Sequence, residues 1–250
     1  KHRNDIFGHA TSFNLDIGNW DVSSVSDMRY MFYGASSFNH SIVSWDVSSV
    51  TSMMHMFRSA TSFNQDIGIW NVSRVNATNY MFSGAASFDH DISAWDMSRV
   101  TNMMHMFSGA SSFNQSIADW NVSSVTDMSN MFSGATSFVV NIGSWDVSNV
   151  LSMKYMFGSV SYFNNSLGIG SWKVSKLRDS SFMFYKAASF NQDIGSWNIS
   201  SVTDMRYMFC YCTSFNQNSG SWNVSKVTDM SYMLYGATVF DQNVGSWDVS

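Results

Sequence analysis

Ile17-Gly-Asn-Trp20-Asp-Val22-Ser-Ser-Val25-Ser-Asp-Met28-Arg-Tyr-Met31-Phe32-Tyr-Gly34-Ala35 is the stretch on which the reading of this chain turns. Its tryptophan returns every 25 residues, at Trp45, Trp70, Trp95, Trp120 and Trp145. After a two-residue insertion the series resumes at Trp172, Trp197, Trp222 and Trp247. A phenylalanine column (Phe13, Phe38, Phe63, Phe88, Phe113, Phe138, Phe163, Phe190, Phe215, Phe240) keeps the same register. So does a methionine column from Met31 to Met233, and a serine follows every tryptophan by three residues. Self-similarity at a fixed period marks a tandem-repeat protein. The chain reads as one repeat domain over residues 1–250, about ten 25-residue turns, with an irregular 27-residue turn around residues 164–186.

Within one unit the apolar spacing changes. In Ile17-x-x-Trp20-x-Val22, tryptophan and valine share one parity while Asn19, Asp21 and Ser23 take the other, the signature of a short strand. Val25, Met28, Met31, Phe32 and Ala35 then recur at three and four residues, the pattern of one helix face. Ser26-Asp27 supplies an N-cap and an early negative charge, and Gly34 a left-handed residue near the end. The column Asn14, Asn39, Asn64, Asn114, Asn164, Asn191, Asn216 is expected to bond turn backbone in adjacent repeats. A lone unit cannot bury this many large side chains, whereas stacked units can. The expected architecture is therefore a right-handed α/β solenoid, each turn a short parallel strand plus a short helix, with about 4.8 Å between turns.

Composition narrows the class. The chain has no proline, and all 18 acidic residues are aspartate. Hydrophobic residues at 45%, with 10 Trp and 20 Phe, are ample for a large core and argue against disorder. The net charge of −5 includes no basic stripe of the kind nucleic acid requires. No apolar run approaches the roughly 18 residues of a membrane span.

The repeat resembles a known family. Phe190-Asn-Gln-Asp-Ile-Gly-Ser-Trp197-Asn-Ile-Ser-Ser-Val202-Thr-Asp-Met205-Arg-Tyr-Met208-Phe209 is similar to the repeat of BspA-family surface proteins, a leucine-rich-repeat-like unit. Ile-x-x-Trp-x-Val stands where Leu-x-x-Leu-x-Leu stands in leucine-rich repeats. Met208-Phe-Cys-Tyr-Cys212-Thr-Ser-Phe215 carries cysteine at the position where the family's own segment has it. The chain departs from the pattern at Lys173, at Arg3, Thr78 and Ser180 in a methionine column, and at Leu234. The resemblance implies a leucine-rich-repeat-like solenoid on a cell surface, a role in attachment, and no catalytic residues.

Candidate sites follow from the residues that break or decorate the columns. His55 and His105 stand where other turns have Tyr30, and His40 and His90 where others have glutamine. Each pair is two turns apart, about 9–10 Å at sheet spacing, too far to share a metal with bonds of about 2.1 Å. A two-repeat duplication explains them better. The column Asp21, Asp46, Asn71, Asp96, Asn121, Asp146, Lys173, Asn198, Asn223, Asp248 reads as a structural polar ladder, with weak cation binding as the alternative. The tryptophans share parity with the valines and are expected inside, not as sugar-stacking platforms. Cys212 falls on the buried Ala35 column and Cys210 on a more exposed one, which would leave one thiol available for an intermolecular disulfide.

Asn39, Asn71, Asn76, Asn114, Asn121, Asn164, Asn198 and Asn223 begin glycosylation sequons. Asn76 is the preferred acceptor, because Asn76 and Thr78 leave their columns together. Lys173, Lys176, Arg178 and Lys186 cluster in sequence at the irregular turn, a candidate partner patch against a tolerated loop insertion. No cofactor or metal is expected. The resulting functional expectation is a non-enzymatic, extracellular or cell-surface structural or adhesive repeat protein, meeting surface proteins or glycans and free of nucleic-acid partners. The alternative is a binding module with one ligand at the irregular basic turn. The chain starts within the Met-Phe part of a unit and stops after Trp247, so end-to-end self-association into a filament, or membership of a longer array, is expected.

Overall fold

Every second backbone N–H of residues 28–34 is given to the next turn. Met28, Tyr30, Phe32 and Gly34 donate to the carbonyls of Ser52, Met54, Met56 and Arg58 at 3.0, 3.1, 2.9 and 2.7 Å. The intervening amides stay within the unit. Met31 donates to Met28, Tyr33 to Tyr30 and Ala35 to Phe32, each closing a β-turn between residue i and residue i+3 at 3.0–3.3 Å. The computed structural model describes residues 5–161 and 167–249, and this pattern recurs along it.

The strand-plus-helix solenoid is therefore not the fold. Among the described residues the helical structure is a single 3-10 turn, Ile169–Ser171, and the strand pairing is a ladder of single-residue parallel bridges. That ladder runs Asp27–Ser52–Ala77–Asn102–Asp127–Ser152–Asp179–Asp204–Asp229, outside the segment expected to be a strand. The segment Ile-x-x-Trp is itself a β-turn: Trp20 N–H donates to the Ile17 carbonyl at 3.1 Å, and Trp45 to Ile42 likewise.

The physical reason lies in the period. A run of β-turns sends residues i and i+3 to one side, so its apolar spacing of three and four mimics a helix face. What breaks the helix is the left-handed conformation at two places in each unit. One column is Tyr30, His55, Tyr80, His105, Asn130, Tyr155, Phe182, Tyr207 and Tyr232, at φ between 56 and 61°. The other passes through Gly34, Ser59, Gly84, Gly109 and Gly134, at φ 59–72°. Left-handed backbone costs a non-glycine residue about 1–2 kcal/mol. The inter-turn hydrogen bonds and the stacked rings at those corners offset that cost, and an isolated segment has neither.

Packing then fixes the register. Phe32, Phe57, Phe82, Phe107 and Phe132 are fully buried and stack face to face with centroids 5.4–5.9 Å apart. Within one unit Phe32 also stacks on Phe38 at 4.2 Å. Val22, Val25, Met28, Met31, Ala35 and Ile42 join the same core. The tryptophans from Trp45 to Trp222 are 3–4% exposed, while Trp20 and Trp247 are partly buried. Each turn thus rests on a near copy of itself, and a change of residue in one column is felt by the turns on both sides. Beyond the two-residue insertion, Gly168 at φ 69° and Ile169–Ser171 lead back to the tryptophan column, and Ser152 pairs with Asp179 in the resumed register.

Candidate functional site

The polar residues are largely spent on holding turns closed. In three columns an Asp or Asn side-chain oxygen accepts the backbone N–H two residues on, an Asx-turn. Asp16, Asp66, Asn141 and Asp193 hold Gly18, Gly68, Gly143 and Gly195 at 2.9–3.0 Å. Asp27, Asp127, Asp179 and Asp229 hold Arg29, Ser129, Ser181 and Ser231 at 2.8–3.0 Å. The column beside the tryptophans does the same to the serine that follows it. Asp21, Asp46, Asn71, Asp96, Asn121, Asp146, Asn198 and Asn223 take that N–H at 3.0–3.2 Å. The serine hydroxyl joins at 2.6–2.7 Å on Asp21, Asn71, Asn121, Asn198 and Asn223. These donors hold the carboxyls of Asp46, Asp96 and Asp146 below their ordinary pKa. Glutamate has one methylene too many for this turn, which favours aspartate in these three columns.

Other ladders run between turns. Asn14 Oδ1 accepts the Asn39 N–H at 2.9 Å and Asn39 Oδ1 the Asn64 N–H at 2.8 Å, the bonding expected of the asparagine column. Gln65 Nε2 reaches back to the Asn39 carbonyl at 2.8 Å. His90 Nε2 makes the same contact with the Asn64 carbonyl at 3.1 Å, so this histidine does glutamine's work. The indole N–H of each tryptophan from Trp45 to Trp247 donates to a carbonyl one turn below, Trp45 to Ile17 at 3.1 Å and Trp95 to Ile67 at 3.1 Å. That bond escaped the sequence reading. The available signal was that a buried indole N–H demands an acceptor.

His55 and His105 belong to an aromatic stack at the left-handed corner, Tyr30–His55–Tyr80–His105, with centroids 4.4–4.6 Å apart. Arg58 lies over the rings of Tyr33 and Tyr80 and its Nη1 is 3.3 Å from His55 Nδ1. Burial, then the nearby Arg58, push the His55 pKa down to about 4. Among the described residues no three His, Cys, Asp or Glu side chains gather as a metal would require. Cys210 and Cys212 are both free and both buried, Cys210 only 1% exposed. The exposed thiol read from the column pattern is thus corrected: Cys210 is covered in this turn, and burial raises the pKa of both thiols.

The sequon asparagines Asn39, Asn71, Asn76, Asn114, Asn121, Asn198 and Asn223 are exposed, and Asn164 lies outside the described residues. Thr78, the hydroxyl residue of the Asn76 sequon, is buried in a methionine column and its Oγ1 has no hydrogen-bond partner.

The basic residues of the irregular turn, Lys173, Lys176, Arg178 and Lys186, are all exposed. Lys173 and Lys176 share the field of Asp146, and Lys176 Nζ donates to Asn149 Oδ1 at 2.6 Å. Lys186 occupies a left-handed position at φ 58° with its Nζ 5.2 Å over the Tyr185 ring. Beside Lys173 lies a cavity of about 320 Å³, lined also by Ser171, Ser175, Ser196 and Asn198.

Among the described residues no helix is long and apolar enough to cross a membrane. A search of curated proteins found no match to the chain. One family model matches three successive, overlapping stretches, residues 1–104, 88–169 and 165–250, as the recurrence of the columns would require. The chain belongs to the family described as Mycoplasma protein of unknown function, DUF285.

Proposed function

We propose that the chain is a non-enzymatic structural or adhesive repeat protein of the cell surface, working by presenting the same polar groups at the same spacing turn after turn. The observation that carries this reading is how the side chains are spent. Large apolar groups fill one continuous core, and most carboxylates and carboxamides close turns or tie one turn to the next. What remains outward is a repeated surface, suited to many weak contacts whose sum is strong. The similarity to BspA-family repeats supports the surface location. The stacking is also propagative, since each turn offers the next what it took from the one before. Copies joined by the same contacts form an open head-to-tail filament. Of the sequons, Asn76 is the acceptor we favour, and its buried Thr78 means a glycan must be attached before that turn packs.

The experiment is turn excision. Deleting residues 101–125 joins Val100 to Thr126 in register. Beads carrying the shortened chain should still attach to a cell surface, with a modest loss proportional to the turn removed. Abolition of attachment by this one deletion, with the fold intact, would contradict the reading, and loss of all attachment on replacing Lys173, Lys176, Arg178 and Lys186 would instead favour a module with its ligand at the irregular turn.

A further inference from the structure

Lys173 interrupts the Asx column, and its consequence is chemical. In eight other turns the serine three residues after tryptophan gives its N–H to a side-chain oxygen from that column at 3.0–3.2 Å. In five of those its hydroxyl joins at 2.6–2.7 Å. The backbone of this corner is thus shaped to grip one carboxylate or carboxamide oxygen with two donors. In the Lys173 turn the same serine is Ser175. Lysine has no acceptor, and no hydrogen bond among the described residues involves Ser175 N–H or Oγ. An oxygen acceptor is exchanged for a cation at the one corner whose donors are otherwise always occupied.

The surroundings fit the exchange. Lys173 and Ser175 both line the cavity of about 320 Å³, together with Ser171, Ser196 and Asn198. Lys173 takes part in none of the ion pairs among the described residues. Its charged neighbours are Lys176 and the carboxylate of Asp146, and Asp146 is itself held by the Ser148 N–H at 3.0 Å. The corner columns of this turn and the two after it read Lys173-Val-Ser-Lys176-Leu-Arg178, Asn198-Ile-Ser-Ser-Val-Thr203 and Asn223-Val-Ser-Lys226-Val-Thr228, without a carboxylate. The corresponding columns of earlier turns carry Asp21, Asp46, Asp96 and Asp146. The corner is at its most positive in the Lys173 turn, which carries three cations where the Asn71–Asn76 turn carries Arg74 alone.

We propose that this corner binds the carboxylate of an acidic sugar. One carboxylate oxygen takes the place that Asp or Asn Oδ1 holds in the other turns, on Ser175 N–H and Oγ–H, and Lys173 Nζ pairs with the other. Ser171 and Ser196 give their hydroxyl protons to backbone carbonyls at 3.1–3.2 Å, which leaves those oxygens to accept from the sugar's hydroxyls across the cavity and the Asn198 side-chain N–H2 to donate to them. The cavity's polar residues stand beside Trp172 and Val174 in the lining, and such a mix of hydroxyls and apolar surface suits a sugar's hydroxyls and C–H faces better than a nucleobase or an apolar peptide. The proposal deepens the surface-contact reading, since it names a ligand class for it, but its readout is a residue and not attachment.

The test is an amide-resolved NMR titration of the whole chain with glucuronate, with glucose as the neutral arm, acetate as the bare carboxylate and an aspartate-containing peptide as the peptide carboxylate. Millimolar glucuronate should give saturable shifts centred on the Ser175 and Lys173 amides, with glucose inert and acetate and the peptide weaker. Lys173→Asn should lose the response by at least about tenfold in Kd, or 1.4 kcal/mol, because Asn closes the turn on itself. It should unfold no earlier than the parent, which separates lost binding from lost fold. Arg74→Met, on the same edge four turns earlier, should titrate like the parent. No Ser175 shift, equal binding by Lys173→Asn, equal binding of acetate or the peptide, or an equal loss with Arg74→Met would each overturn the proposal. Attachment abolished by turn excision while these shifts persist would tell against the adhesive reading alone.

Discussion

Thr78 is the residue at which the core is least satisfied. It stands where Met53 and Met103 stand in neighbouring turns, is 1% exposed, and buries a hydroxyl with no partner. An unpaired buried hydroxyl costs about 1–3 kcal/mol. Thr78→Met restores the column and removes that cost, so it should raise stability by about 1–2 kcal/mol in a denaturant melt. A loss would mean that the hydroxyl has a function there. His55 sets a different dependence. Its pKa of about 4 in the fold lies below the ordinary 6.5, so the unfolded chain takes up the proton first as pH falls. Its contribution is present above about pH 6.5, is lost down to about pH 4, and changes no further below. His55→Tyr, matching Tyr30 and Tyr80, should reduce the slope of the melting temperature over that window, and the slope that remains is that of His105, whose pKa burial also lowers. A parent whose melting temperature is constant between those values would show that His55 titrates normally. The depressed aspartates act lower down: stability they supply is lost only as pH drops below the usual carboxylate range.

At the scale of the turn, the aspartate columns are the cleanest test of how local chemistry makes the fold. Asp96 holds the Ser98 N–H at 3.0 Å, and asparagine does the same for Ser73 and Ser123. Asp96→Asn should therefore be nearly neutral, while Asp96→Glu should cost about 1 kcal/mol by misplacing the acceptor. Equal effects of the two would mean that the Asx-turn contributes nothing. The same scale shows what the sequence could and could not reveal. The repeat, its register and the buried columns were legible, because a 25-residue recurrence of Trp, Phe and Met has no local explanation. The parity of Trp45, Asp46 and Val47 was read correctly, yet the segment begins with a β-turn, not a strand. The helix over residues 25–35 was misread because three-residue turn spacing copies its pattern. What decides against it is the bond from Phe32 N–H to Met56, a contact across turns that local propensity does not contain. Site geometry was legible only in part. The asparagine ladder was visible in its column, but Cys210 is covered against the habit of its column.

Over the whole molecule, stability is expected to be a sum over turns and their interfaces, as in other quasi-one-dimensional proteins. The interfaces between turns, not helices, hold the Met-Phe segments. The direct measurement is NMR scalar coupling across hydrogen bonds, which reports which amide is bonded to which carbonyl. The predicted couplings join the amides of Met53, His55, Phe57 and Ser59 to the carbonyls of Ala77, Asn79, Met81 and Ser83, one turn on. Couplings from those amides to carbonyls four residues earlier in the same unit would mean that the segments are helices and would contradict the inter-turn bonding.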